Sequence, residues 1–200
     1  MAEIDCLVLA AGKSSRMEDW KMTLPWNCGT VIEQSVRTAL EVCSRVVLVA
    51  GFRAEELFEL FRDQPRVEVV RNEKFTEGMF SSIQKAVRSA REGAFFIALG
   101  DMPEISVEVF RELAEWERRL RPVFAASGLP YGVIPKYGGK KGHPVLLSSG
   151  MRSRILETDV SKTLRDVLAL VPTVIVPVEE GGVLQDIDTP EDYRSRRGPA

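Results

Sequence analysis

A chain of 200 residues is long enough to bury a sizeable core and suits one domain, without excluding two small ones. Its hydrophobic content of 44%, its charged content of 28% and its net charge of −2 are ordinary for a globular protein and exclude general nucleic-acid affinity, so an anionic ligand has to be held by a local cluster of cations. Cys6, Cys28 and Cys43 are odd in number and lack CxxC spacing, which argues against a disulfide framework or a zinc site.

The first five residues, Met1 to Asp5, carry two acids and do not resemble a signal peptide, and no apolar run approaches the length of a membrane span. A cytoplasmic enzyme with no membrane partner is the expected setting. Ile4 to Ala10 reads as a buried strand, and Ala11 to Pro25 as a long functional loop. Apolar residues at helical spacing predict a helix over Thr30 to Cys43. Arg45 to Ala50 is a second buried strand, Ala54 to Arg62 a helix, Arg66 to Val70 a third strand and Ser81 to Arg91 a helix. Ala94 to Leu99 is a fourth strand, closed by Gly100-Asp101-Met102-Pro103, and Ser106 to Arg119 is a helix with Ser106 as N-cap. This alternation predicts a doubly wound, mostly parallel sheet, whose ligands sit at the carboxyl ends of the strands.

The second half is less regular. Val123 to Ala126 and Pro144 to Leu147 read as short strands, and Tyr131 to Gly142 as a hairpin or mobile flap. Met151 to Leu156 and Ser161 to Leu170 read as short helices, and Thr173 to Val176 as a strand. Thr189 and Pro190 open a final helix, and Arg194 to Ala200 are expected to fray.

Three segments carry chemistry. In Leu9-Ala10-Ala11-Gly12-Lys13-Ser14-Ser15-Arg16-Met17 a strand runs into a turn of small residues and then into cations. Small residues let a ligand approach the backbone, turn N–H groups bind anionic oxygens, and a guanidinium grips phosphate bidentately. The alternative is an ordinary surface loop; the segment matches neither GxxxxGK[ST] nor GxGxxG. Asp101, at the end of an apolar strand, suits Mg²⁺, which takes one or two carboxylates beside phosphate oxygens and water; a plain turn is the alternative. Asp186-Ile187-Asp188-Thr189-Pro190-Glu191-Asp192 is either only a helix start or, through Asp188, a second metal carboxylate.

The LAAGKSSRM segment, with Lys21 and Pro25 behind it, resembles the signature of the MobA-like NTP transferases, and within them the molybdenum cofactor cytidylyltransferase (MocA-like) group. Gly78-Met79-Phe80-Ser81-Ser82-Ile83, Gly100-Asp101-Met102-Pro103, Gly142-His143-Pro144-Val145 and Asp186 to Asp192 follow in the family's order. The resemblance implies an α/β, Rossmann-like three-layer nucleotidyltransferase fold, a mostly parallel sheet with helices on both faces. It implies a single domain over 1–200, about 1–105 binding nucleotide and about 106–200 the acceptor.

At matched positions, Leu9, Ala10, Ala11 and Gly12 would hold base and sugar. Lys13, Arg16 and Lys21 would contact the triphosphate, and Asn72, Ser81 and Ser82 would complete the nucleotide site. Asp101 and Asp188 would hold Mg²⁺, with Arg16, Lys21 and Asp101 as the catalytic set. His143 would face the acceptor, or be a structural histidine in a tight turn. Ala11, in LAAG rather than LAGG, points to CTP. The chain departs from the family at Glu18, where glycine is usual, and around Glu157 to Ser161.

The implied reaction is attack by an acceptor phosphate, that of molybdopterin, on the α-phosphate of the NTP with loss of pyrophosphate. It rests on positioning, metal and cations rather than a general base. Lys136, Lys140 and Lys141 would meet the anionic acceptor or lie in a solvated loop. Transient contact with molybdoenzymes or cofactor-insertion proteins is expected. The alternatives are GMP transfer, CMP transfer to another phosphorylated small molecule, and a non-catalytic cofactor carrier.

Overall fold

The computed structural model describes residues 3–17 and 19–197. Strand β1 (Asp5–Ala10) is buried along its whole length. Successive side chains of a strand point to opposite faces. Cys6, Val8 and Ala10 therefore join one apolar cluster with Ile32, Val36 and Phe110, while Leu7 and Leu9 join a second with Ile83, Ala86 and Val87. A strand covered on both faces has to be apolar throughout, which is why it reads as an unbroken run.

The short antiparallel pair β2 (Pro25–Trp26) and β3 (Gly29–Thr30) leads into α1 (Val31–Leu40). Thr30 caps that helix reciprocally with Glu33. β4 (Arg45–Ala50), α2 (Ala54–Leu60), β5 (Val67–Arg71), α3 (Met79–Ser89), β6 (Phe95–Leu99) and α4 (Val107–Ala125) follow. The second half holds β7 (Gly132–Tyr137), β8 (Lys140–Lys141), β9 (Val145–Leu147), α5 (Met151–Glu157), α6 (Leu164–Leu168), β10 (Thr173–Pro177) and α7 (Pro190–Arg196).

The main sheet has the order β10-β7-β9-β6-β1-β4-β5, with β8 paired to β7. Pairings β10–β7, β6–β1, β1–β4 and β4–β5 are parallel; β9 runs antiparallel to both neighbours. Helices α1 and α4 cover one face, and α3 and α5 the other, giving the expected three layers. Because β9 is reversed, its amino-terminal end lies at the carboxyl edge of β6, with Val145 opposite Ile97. That reversal carries His143 to the edge where Asp101 leaves β6. No described helix is long and apolar enough to cross a membrane.

Two expectations are corrected. Val123 to Ala126 does not form a strand: α4 continues through Pro122 to Ala125. The apolar stripe of Phe110, Leu113, Leu120 and Phe124 keeps helical spacing, and Phe124 packs on Tyr131 with ring centroids 4.6 Å apart. That contact offsets the main-chain hydrogen bond a proline removes. Within the segment expected to fray, Arg194 to Arg196 belong to α7, and Arg196 bonds the Asp186 carbonyl and the Asp192 carboxylate. Residues 198–200 lie outside the described residues. Of the Tyr131 to Gly142 segment, the hairpin is real, but Gly132 to Pro135 are buried in the sheet and only its tip projects. Gly138 and Gly139 turn that tip with φ of 53° and 85°, a region that glycine enters freely.

Candidate active site

The basic turn is tied down by its carbonyls. Gly100 N donates to Leu9 O at 2.9 Å and Phe52 N to Ala11 O at 3.1 Å. Trp20 Nε1 donates to Gly12 O at 3.2 Å. Trp20 is buried against Phe52, with the Arg53 guanidinium 5.4 Å from its ring. Met17 N closes a turn onto Ser14 O, and Ser14 takes a positive φ of 53°. The Glu at position 18 lies outside the described residues.

Lys21, opening a short 3-10 helix, is buried and lies between two carboxylates. Its Nζ is 2.6 Å from Asp101 Oδ2 and 2.8 Å from Asp188 Oδ1. Arg16 Nη2 lies 2.6 Å from Asp188 Oδ2, its own side chain largely in solvent. Residues 186–188 come from the far end of the chain, yet Ile187 N donates to Asp101 O at 2.9 Å. Ile187 is buried with Trp26 and Val31. Its anchoring leaves Asp186 and Asp188 beside Asp101, and carboxylate oxygens of all three lie within 4.8 Å of one another.

Burial pulls the Lys21 ammonium down, but Asp101 and Asp188 more than offset it and its pKa is raised. Burial pushes Asp188 up, yet Lys21 and Arg16 hold it below the usual carboxylate range. Asp186 is pushed up, by burial first and then by the Asp188 charge. Asp101 Oδ1 is buried with no hydrogen-bond partner. Three hard oxygen donors, one of them with an unsatisfied atom, suit a divalent metal ion.

The cleft around these groups has a volume of about 470 Å³ and is lined by Leu9, Ala11, Gly12, Arg16, Lys21, Ser82, Asp101 and Asp188, all foreseen, with Asp186, Ser14, Ser15 and Phe75 added. The structure thus brings together residues from both ends of the chain. Four other residues stand back from the cleft. Ala10 faces the opposite side of the sheet. Lys13 lies at the rim, its Nζ 5.8 Å from the Phe75 ring centroid. Asn72 supports from behind, donating to Ser81 Oγ at 2.9 Å and Ser82 Oγ at 3.0 Å. Ser81 donates to the Lys74 and Gly78 carbonyls, so its hydroxyl holds the start of α3.

Asp186 is the main residue missed. The alternation Asp-Ile-Asp, with an apolar middle residue, is the signal for two carboxylates on one side of an extended segment. Trp20 gave no such signal, because a buried indole looks like core until its N–H partner is known.

A second cavity, of about 650 Å³, adjoins the first and shares Leu9, Met79 and Leu99 with it. His143 lines it, half-buried, with Nδ1 unpartnered and its backbone N donating to Val183 O at 2.9 Å. Burial lowers its pKa, against the opposing influence of the Ile97 carbonyl and the Asp101 carboxylate. Lys141 also lines this cavity. Glycines fix the backbone here. A Cβ on Gly142 would meet Val183 O at 2.2 Å, and one on Gly182 would meet Glu104 O at 2.3 Å.

A basic turn facing carboxylates at the carboxyl edge of a mostly parallel sheet is the architecture of an α/β nucleotidyltransferase. The model of the MobA-like NTP transferase domain matches residues 6–176, and the chain belongs to that family. It is 34% identical over 193 residues to the molybdenum cofactor cytidylyltransferase of Escherichia coli K12, covering 96% of this chain and 95% of that protein. Among solved structures, a nucleotidyl transferase from Methanothermobacter superposes with a TM-score of 0.81 at 23% identity, covering 98% and 97% of the two chains. A Mycobacterium tuberculosis H37Rv protein in complex with manganese gives a TM-score of 0.72 at 22% identity, covering 98% of each chain. At such identities the two structures speak for the fold.

Proposed function

We propose that this nucleotidyltransferase uses Mg²⁺ to transfer CMP from CTP to the phosphate of molybdenum-loaded molybdopterin, releasing pyrophosphate. The observation that carries this reading is the convergence of Arg16 and Lys21 on Asp101 and Asp188, across most of the length of the chain. The identity of 34% to the Escherichia coli cytidylyltransferase along nearly the whole chain supports the choice of nucleotide and acceptor.

In this reading Asp101, Asp188 and Asp186 hold Mg²⁺, which when bound supplies positive charge to the phosphate oxygens. Arg16 and Lys21 move from the carboxylates onto the triphosphate, where they neutralise charge developing on the pyrophosphate. The turn from Ala11 to Ser15 positions the nucleotide through backbone N–H groups, since the carbonyls of Leu9, Ala11 and Gly12 already accept hydrogen bonds. Ser82, backed by Asn72 and Ser81, faces the base and sugar. The acceptor phosphate is anionic at neutral pH and attacks without a general base. His143 and Lys141 stand on the acceptor side.

The chain acts as a single domain in this account, its first half on the nucleotide and its second on the acceptor. The three free cysteines accord with a cytoplasmic setting, where handover to molybdoenzymes or insertion proteins would follow. The test is pyrophosphate release with each of the four NTPs, Mg²⁺ and purified molybdenum-loaded molybdopterin. CTP alone should support turnover. Equal or faster release with GTP would overturn the nucleotide choice, and cofactor binding without any release would favour a carrier.

A further inference from the structure

The cavity beside the nucleotide cleft is longer than the reacting phosphate needs. It crosses five neighbouring strands: Leu9 on β1, Ile97 on β6, Val145 on β9, Ile134 on β7 and Thr173 on β10 all line it. At the usual strand spacing this is about 19 Å from end to end. Its near end shares Leu9 and Leu99 with the cleft that holds Asp101. An acceptor phosphate that attacks the nucleotide has to lie at that end.

Along the middle the floor is apolar, with Ile97, Ile134 and Val145 lining it. Toward the far end the wall is α6, whose Leu168 packs over Gly132 and whose Leu168 carbonyl accepts from Thr173 Oγ1; Arg165, about one turn earlier, and Lys162, just before the helix, also line the cavity. The acids nearest to them in sequence are turned to local capping. Asp166 Oδ2 accepts from Thr163 N and Oγ1, and Asp159 Oδ1 accepts from Ser161 N. Lys162 and Arg165 form no ion pair among the described residues, in contrast to Arg111, Arg119 and Arg121 on α4.

We propose that Lys162 and Arg165 form a second anion subsite, which grips a negatively charged group at the end of the acceptor remote from its reacting phosphate. The inference rests on the reading of this cavity as the acceptor site. It deepens that reading by requiring an acceptor with anionic groups at both ends and a flat apolar middle. A pterin phosphate whose sulfur or metal end carries charge meets that requirement; one without a charged far end meets it poorly.

The test uses the paired variant Lys162→Met and Arg165→Met, which keeps the apolar stems of two exposed side chains and removes their charge. Pyrophosphate release is measured with CTP and molybdenum-loaded molybdopterin. The variant should raise the acceptor KM about ten-fold and leave the KM for CTP within about two-fold. In parallel, the aromatic sulfonate 1-anilinonaphthalene-8-sulfonate is titrated by fluorescence, which needs no turnover. Wild type should bind it about ten-fold more tightly than the variant, and only wild type should lose affinity as salt is raised. The exchange pair Lys162→Arg with Arg165→Lys should restore both readouts. If wild type does not turn over molybdopterin, the acceptor reading has failed and the dye titration decides the subsite by itself. Equal dye affinity and equal salt response in wild type and the Met variant overturn the proposal.

Discussion

Lys21→Met is the sharpest probe of the carboxylate cluster. The substitution keeps a flexible apolar stem and deletes the ammonium lying 2.6 Å from Asp101 and 2.8 Å from Asp188. The Lys21 side chain is 9% exposed, and those of Asp101 and Asp188 are 15% and 25% exposed. Removing one partner of a buried ion pair costs about 3–5 kcal/mol. Here Arg16 still reaches Asp188, and solvent reaches both acids in part, so a loss of about 2–3 kcal/mol is expected. For a chain of this size that lowers Tm by about 5–10 °C. Added Mg²⁺ or Mn²⁺ should return much of the loss, since a ligand at a hundred times its Kd contributes about 2.7 kcal/mol. The variant should gain more than wild type, in which the ammonium competes for the same oxygens. Melting curves with and without divalent cation, read by circular dichroism, give both numbers. A Tm within about 2 °C of wild type, or equal cation-induced gains in the two proteins, would refute the claim that one site serves lysine and metal in turn.

Asp101→Ala should lower turnover by about a thousand-fold or more with the circular dichroism spectrum unchanged; activity comparable to wild type removes Asp101 from the mechanism. Arg16→Ala should leave Tm nearly unchanged, because its ion pair is exposed, while raising the Kd for NTP about ten-fold in a nucleotide titration. Asp188 is held below the ordinary carboxylate range, so its contribution to stability is fully present above its unfolded pKa and is lost as the pH falls through the lower folded value. Asp188→Asn should therefore flatten the acid limb of a Tm–pH profile below about pH 4, and an unchanged limb contradicts the ion-pair account. Gly142→Ala should destabilise by about 2–4 kcal/mol in urea unfolding, since its methyl would meet backbone rather than a movable side chain.

Much of the scaffold was legible because the strands are covered on both faces, and runs such as Arg45 to Ala50 read as strand at once. The end of α4 was not: Pro122 followed by four apolar residues imitates a break followed by a strand, and only the contact of Phe124 with Tyr131 reveals the continuing stripe. In the site, Arg16, Lys21 and Asp101 stood out through charge beside small residues and through the family pattern. The layering of Ser82, Ser81 and Asn72, from the cleft inward, depends on hydrogen-bond directions that residue type does not carry. Lys162 and Arg165 were silent for a different reason. Their cavity is assembled from strands whose spatial order, β1-β6-β9-β7-β10, departs from chain order.

The main-chain clasp around the carboxylates has a consequence for how this enzyme can diverge. Ile187 N on Asp101 O, His143 N on Val183 O, and the close fits of Gly142 on Val183 and Gly182 on Glu104 join three remote segments backbone to backbone. Neighbouring side chains can drift without disturbing that weave. A single residue inserted or deleted between Gly182 and Asp186 would slip its register and turn the acids away, so tolerance of indels in this stretch should be far lower than tolerance of substitutions.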